Sequence, residues 1–270
     1  MWRLALRAAL EDRRRPRPLG GLRGGWCETE SGRLFVRRGP AREGVAVVLV
    51  HGVIVSSRYF LPLARELARD REVLVPDLPG YGLSDGDAAD LTALADAVVA
   101  AARALGHDRM ALVGNSFGAQ VAVEAALRHP SHVERLVLIG PTVDPAARGL
   151  LRQYVRWQRN APDEHLSVLP VMARDLADIG LGGAARMLRI MLADRLEAKL
   201  PRIHQPTLVL RGSRDRLVPE AWARAVAELL PDAVLRVVPG YAHMPQWSGP
   251  RAIAPLVREF LAPGATRDGR

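Results

Sequence analysis

The sequence predicts an α/β fold, a mostly parallel sheet with helices on both faces. Three observations carry that expectation. Seven short apolar, β-branched runs recur along the 270 residues, and helical patterns separate most of them. One run, Met110-Ala111-Leu112-Val113, passes into Gly114-Asn115-Ser116-Phe117-Gly118 and then into an alanine-rich helical pattern, so a strand turns abruptly into a helix at a glycine-bracketed serine. Between the run ending at Gly140 and the one opening at Pro206, more than 60 residues carry helical patterns and no strand pattern.

In chain order, residues 1–25 come first and hold seven Arg against Glu11 and Asp12, a net +5 of the chain's +9. With Gly20, Gly21, Gly24 and Gly25 among them, they read as a basic, disordered tail. An α/β core follows over residues 26–140 and 201–264. Its strands are expected at 34–36, 45–50, 72–75, 110–113, 136–139, 207–210 and 234–238. Its helices are expected at 57–69, 87–105, 117–129, 219–230 and 251–261, each about long enough to cross back over a sheet. Residues 141–200 read as an inserted helical cap, punctuated by Asp144, Asp163 and Pro201, with Gly180, Gly182 and Gly183 marking a break inside it. Tyr154 and Trp157, three apart, read as core residues of a cap helix.

Composition excludes several classes. A 49% hydrophobic and 25% charged chain is ordinary for a globular protein. No apolar run approaches the roughly 20 residues of a membrane span. Arg3 and Arg7 interrupt the first ten residues, so no secretory leader is expected and the chain reads as cytoplasmic, without a membrane partner. Lys199 is the only lysine, and the Arg-rich character runs throughout, so nucleic acid is not an expected partner. Cys27 stands alone, which leaves no intramolecular disulfide and no cysteine-based zinc cluster. Asp77 and Asp85 read as turn formers around Gly80 and Gly82, where no G-x-G-x-x-G is completed.

A serine hydroxyl is a poor nucleophile at neutral pH and needs a base, itself held by an anion. Asp215 follows the run 207–210 in Gly212-Ser213-Arg214-Asp215-Arg216-Leu217-Val218-Pro219, on the loop at that strand's carboxyl end. His243, in Gly240-Tyr241-Ala242-His243-Met244, follows the next strand on the same edge, where sites of parallel sheets gather. Asp144 is the rival acid. His51, His107, His129, His132, His165 and His204 compete with His243, but His107, His129 and His132 sit at helix ends or connections, where carbonyls or water satisfy them.

The order Ser116, Asp215, His243, with Leu49-Val50-His51-Gly52 and Asp77-Leu78-Pro79-Gly80-Tyr81-Gly82-Leu83-Ser84 before it, resembles the α/β-hydrolase superfamily over about residues 30–262. The resemblance implies the α/β-hydrolase fold and a Ser116-His243-Asp215 triad. It also implies an oxyanion hole from the backbone N–H groups of Val53 and Phe117, an ordering role for His51, and no metal or organic cofactor. A serine at position 116 argues against the relatives that use a carboxylate nucleophile. Ester, thioester or lactone hydrolysis of a small, largely apolar substrate is the expected activity. Gly114-Asn115-Ser116 and His243-Met244-Pro245-Gln246-Trp247 also resemble the meta-cleavage carbon–carbon hydrolases, for which Arg186 or Arg189 is an expected carboxylate contact. A receptor that binds ligand through the same residues is the expectation from outside catalysis.

Overall fold

The computed structural model describes residues 1–11, 16–30, 32–87 and 89–262. The chain begins with α1 (Trp2–Ala9), β1 (Arg23–Thr29), β2 (Gly32–Arg38), β3 (Ala46–Val50), α2 (Leu61–Leu67), β4 (Val73–Pro76) and α3 (Leu91–Ala104). It continues through β5 (Met110–Asn115), α4 (Phe117–Arg128), β6 (Val133–Ile139), α5 (Leu150–Asn160), α6 (Leu169–Ala193) and α7 (Leu196–Lys199). It closes with β7 (Thr207–Gly212), α8 (Glu220–Leu229), β8 (Ala233–Val238), α9 (Pro245–Ser248) and α10 (Pro250–Phe260).

Eight strands form one sheet in the order β1-β2-β4-β3-β5-β6-β7-β8. β1, β2 and β4 pair antiparallel, and from β4 to β8 every pairing is parallel. The central strands are buried on both faces, which explains their unbroken apolar runs. Side chains alternate across β3: Ala46, Val48 and Val50 join the core under α3, α4 and α8, while Val47 and Leu49 join the core under α2, α9 and α10.

All seven expected strands are present. β1 is an eighth, and its sequence explains why it carried no signal. Gly24 and Gly25 break any apolar alternation, and Gly24 is there because a Cβ would collide with the Phe35 ring of β2. Across that pair Trp26 meets Phe35 edge to face at 5.2 Å, and Trp26 Nε1 donates to the Leu83 carbonyl at 3.0 Å.

The start of the chain differs from the expected tail. Trp2–Ala9 is a helix that buries Ala5 and Ala8 and lies against α6. Leu19 and Leu22 are buried and bridged to one another. Arg3 and Arg7 are four apart, so one stripe takes both charges and leaves the other face free to pack. Arg13, Arg14 and Arg15 lie outside the described residues.

Between β6 and β7 the regular structure of the described chain is all helical, with short connections. α6 bends at Gly180, whose φ of 70° and ψ of 166° interrupt the helix, at the break that the glycines signalled.

Candidate active site

Ser116 occupies the one-residue turn from β5 into α4, with φ 57° and ψ −120°. Ser116 and Ile54 are the two non-glycine residues with positive φ among those described, and both line one cavity. Backbone in that region is strained for a side chain and persists only where the surroundings enforce it. Here the enforcement is the turn itself: a Cβ at Gly114 would strike the Gly118 carbonyl, and one at Gly118 would strike the carbonyls of Val50 and His51. Both glycines therefore let α4 approach β5 and β3 closely enough to hold Ser116 at the sheet edge.

Asp215 and His243 come from the loops after β7 and β8 and meet at that edge. Asp215 Oδ1 accepts from the N–H groups of Leu217 and Val218 at 2.9 and 2.8 Å, which fixes the carboxylate. Its Oδ2 lies 2.8 Å from His243 Nδ1. A carboxylate only accepts, so Nδ1 carries the proton and Nε2 is left as the acceptor. Gly140, at φ 52°, makes room: a Cβ there would lie 2.9 Å from Nδ1 and 3.1 Å from Oδ2. His243 Nε2 is buried without a hydrogen-bond partner among the described residues, so no bond joins it to the Ser116 hydroxyl in this structure. Both residues line the same cavity. Such contacts are often loose before substrate arrives.

Burial disfavours the imidazolium of His243, but the Asp215 charge, the bond to it and the nearby Glu164 outweigh that cost and raise the histidine above its ordinary value of 6.5. Asp144, the rival acid, is elsewhere engaged: it accepts from Ala146 N at 2.8 Å and pairs with Arg156 at 2.7 Å.

Sequence reasoning missed Glu164. Its Oε1 accepts from the backbone N–H groups of His243 at 2.7 Å and Met244 at 3.2 Å, and from Asn160 Nδ2 at 2.7 Å. Asn160 Oδ1 in turn accepts from Arg216 N at 3.1 Å. One Asn–Glu pair from the helical insertion thus holds the loops of both Asp215 and His243. Asn115 adds a tie from the sheet, donating to the carbonyls of Ile139 at 3.0 Å and His243 at 3.2 Å while accepting from the Tyr59 hydroxyl at 2.8 Å.

The loop after β3 reaches the same place. A Cβ on Gly52 would rest 3.4 Å from Ser116 Cβ, and Val53 lines the cavity beside it. Phe117 is the first residue of α4, where backbone N–H groups have no carbonyl within the helix. His51 orders the loop: Nδ1 is 2.9 Å from the Gly52 carbonyl and Nε2 accepts from Leu78 N at 3.1 Å. Burial lowers its affinity for a proton, in keeping with Nε2 acting as an acceptor. Asp77 is a turn former as expected, accepting from Ser57 N at 2.7 Å and Leu83 N at 2.8 Å.

The cavity holds about 660 Å³ and is walled by Val53, Val55, Leu151, Met172, Leu188, Met191 and Leu217. Tyr154 and Trp157 belong to that wall as well, because α5 lies over the site; Trp157 also packs against the core as expected, whereas Tyr154 is exposed. Among the described residues, no Arg, Lys, Asp or Glu lines the cavity. Arg186 pairs instead with Asp87, and Arg189 is not in the wall. No group of three or more His, Cys, Asp or Glu suited to a metal occurs among the described residues.

Residues 47–256 match the alpha/beta hydrolase family. The chain is 29% identical over 252 residues to 2-hydroxymuconate semialdehyde hydrolase of Pseudomonas sp. strain CF600, covering 81% of this chain and 87% of that one. It is 27% identical to pimeloyl-[acyl-carrier protein] methyl ester esterase of Nitrosospira multiformis, covering 80% and 94%. A crystal structure of a hydrolase from Pseudomonas aeruginosa superposes with a TM-score of 0.74 at 25% identity, covering 88% and 98%. At 30% identity the chain also spans 12% of the length of polyketide synthase ThaQ of Burkholderia thailandensis, covering 81% of this chain.

Proposed function

The chain belongs to the alpha/beta hydrolase family, and we propose that within it the protein is a serine hydrolase that cleaves ester-type bonds of small, neutral, largely apolar substrates. In this reading the helical insertion, residues 141–200, is a cap over the site. Substrate enters the apolar cavity with its carbonyl against Ser116. As Ser116 Oγ forms its bond to the carbonyl carbon, its proton passes to His243 Nε2, and Asp215 holds the ring and supports the imidazolium. The negative oxygen is received by the backbone N–H groups of Val53 and Phe117, each worth roughly 3 kcal/mol of activation energy. Collapse breaks the carbon–oxygen bond, and the imidazolium returns the proton to the departing alcohol. Water, deprotonated by the same histidine, then releases the acid and frees Ser116.

The observation that carries the choice of substrate is the cavity wall, which offers a largely apolar surface and, among the described residues, no Arg or Lys. A dienoate bears a carboxylate, and burying that charge without a partner costs several kcal/mol. A panel of neutral acyl esters of graded chain length, assayed beside a vinylogous diketone acid, tests the reading. Turnover of the neutral esters at least about a hundredfold above the acid is expected. Loss of the dienol chromophore at the faster rate contradicts it and makes the protein a carbon–carbon hydrolase. Stoichiometric ligand capture without turnover would make it a receptor.

A further inference from the structure

We propose that the outward face of α1, continued onto the start of α6, docks on an anionic phospholipid surface. α1 exposes more apolar bulk than it buries. Its inner face carries Ala5 and Ala8, with Leu4 packed against the core, while Trp2, Leu6 and Leu10, spaced four apart, form a stripe that is 50%, 49% and 79% exposed. Arg3 and Arg7, also exposed, form the stripe beside it. A large apolar stripe flanked by a basic one suits a helix lying in the membrane interface. The apolar side chains sink to the boundary between headgroups and acyl chains, and the cations meet lipid phosphates. Tryptophan is at home at that depth.

The face is held outward by the rest of the molecule. Glu11, two residues past the helix, is buried and paired with Arg37 and Arg58, which are themselves fully buried. Rolling α1 to hide the stripe would break those pairs and force Trp2 and Leu6 into a contact sized for alanine. Leu166 and Leu169, also exposed, lie on the segment that α1 touches. Among the described residues, twelve of the fifteen exposed large hydrophobic side chains belong to residues 1–10 or the helical insertion. Exposed apolar surface of this kind marks an interaction site.

Charge chooses the occupant. Pairing this face with a second copy would set two basic stripes together, inside a segment of residues 1–25 with a net +5. An anionic bilayer neutralises them. No described helix is long and apolar enough to cross a membrane, and an interfacial helix does not need to be.

The test is co-sedimentation of the full chain with vesicles, a readout that involves no turnover and so stands apart from the catalytic reading. Wild type is expected to partition onto equimolar phosphatidylcholine and phosphatidylglycerol vesicles about tenfold better than onto phosphatidylcholine alone, with high salt reducing the difference. The exposed triple substitution Trp2→Ser, Leu6→Ser, Leu10→Ser and the double substitution Arg3→Glu, Arg7→Glu should each lower partition by about tenfold with unchanged melting temperature. Wild type remaining in the supernatant with anionic vesicles at low salt overturns the proposal. So does a triple variant that binds as wild type does, because charge alone would then account for binding. A wild-type dimer in size-exclusion chromatography that the triple substitution dissociates also overturns it, and assigns the face to a second copy.

Discussion

At the scale of single residues, the site depends on a few atoms that allow no substitute. Gly118→Ala would drive a methyl group into the Val50 carbonyl. The expected outcome is loss of Ser116 geometry and of at least about a hundredfold in kcat, measured on whichever ester is fastest. The pH dependence follows from His243. In the proposed mechanism its neutral form is the base, and its proton affinity is raised above the ordinary 6.5, so kcat/KM should fall as pH drops through a value above 6.5. Glu164 contributes to that value and also pins the His243 loop. Glu164→Gln keeps an acceptor for the two backbone N–H groups but removes the charge, so the acidic limb should move to lower pH with little loss of rate. Glu164→Ala leaves both donors without their acceptor, and kcat should fall about 10- to 100-fold. The placement of Ser116, Asp215 and His243 at one sheet edge was legible in the sequence because each follows a strand run. Glu164 was not, because its bond to His243 spans 79 residues and nothing local in the chain records it.

At the scale of elements, β-branched runs between helical patterns located the seven strands that the core buries. Those missed were the ones whose stability comes from outside themselves. β1 is held by its register with β2 and by Trp26, which leave no periodic apolar signal, and α1 by Ala5 and Ala8 against α6 and by the ion pairs of Glu11, while its larger apolar stripe faces outward. A buried polar network joins the insertion to the loop after β3. Asp175 on α6 accepts from Ser56 N at 2.7 Å, Ser56 Oγ at 2.9 Å and Arg58 Nη1 at 2.6 Å. Replacing Asp175 with alanine leaves a buried guanidinium with fewer partners and two Ser56 donors without one. A stability loss of about 3 kcal/mol is expected, read as a lower urea midpoint at unchanged slope. A variant within about 0.5 kcal/mol of wild type would show that the network contributes little.

At the scale of the whole molecule, the parallel sheet delivers Ser116, Asp215 and His243 to one edge, and the insertion between β6 and β7 roofs that edge while holding two of their loops through Asn160 and Glu164. The inserted cap was expected from the missing strand pattern over 141–200, but its ties to the two loops through Asn160 and Glu164 were invisible in the order of the motifs. Its apolar wall predicts that KM for neutral esters falls with acyl length until the cavity of about 660 Å³ is filled, and then rises. The most direct test of the account is intact-mass analysis after exposure to a fluorophosphonate, followed by peptide mapping. Wild type should gain one adduct, on Ser116, and the Ser116→Ala protein none. An equal adduct on both proteins, or none on a wild type that still turns over esters, would contradict the assignment of Ser116 as nucleophile.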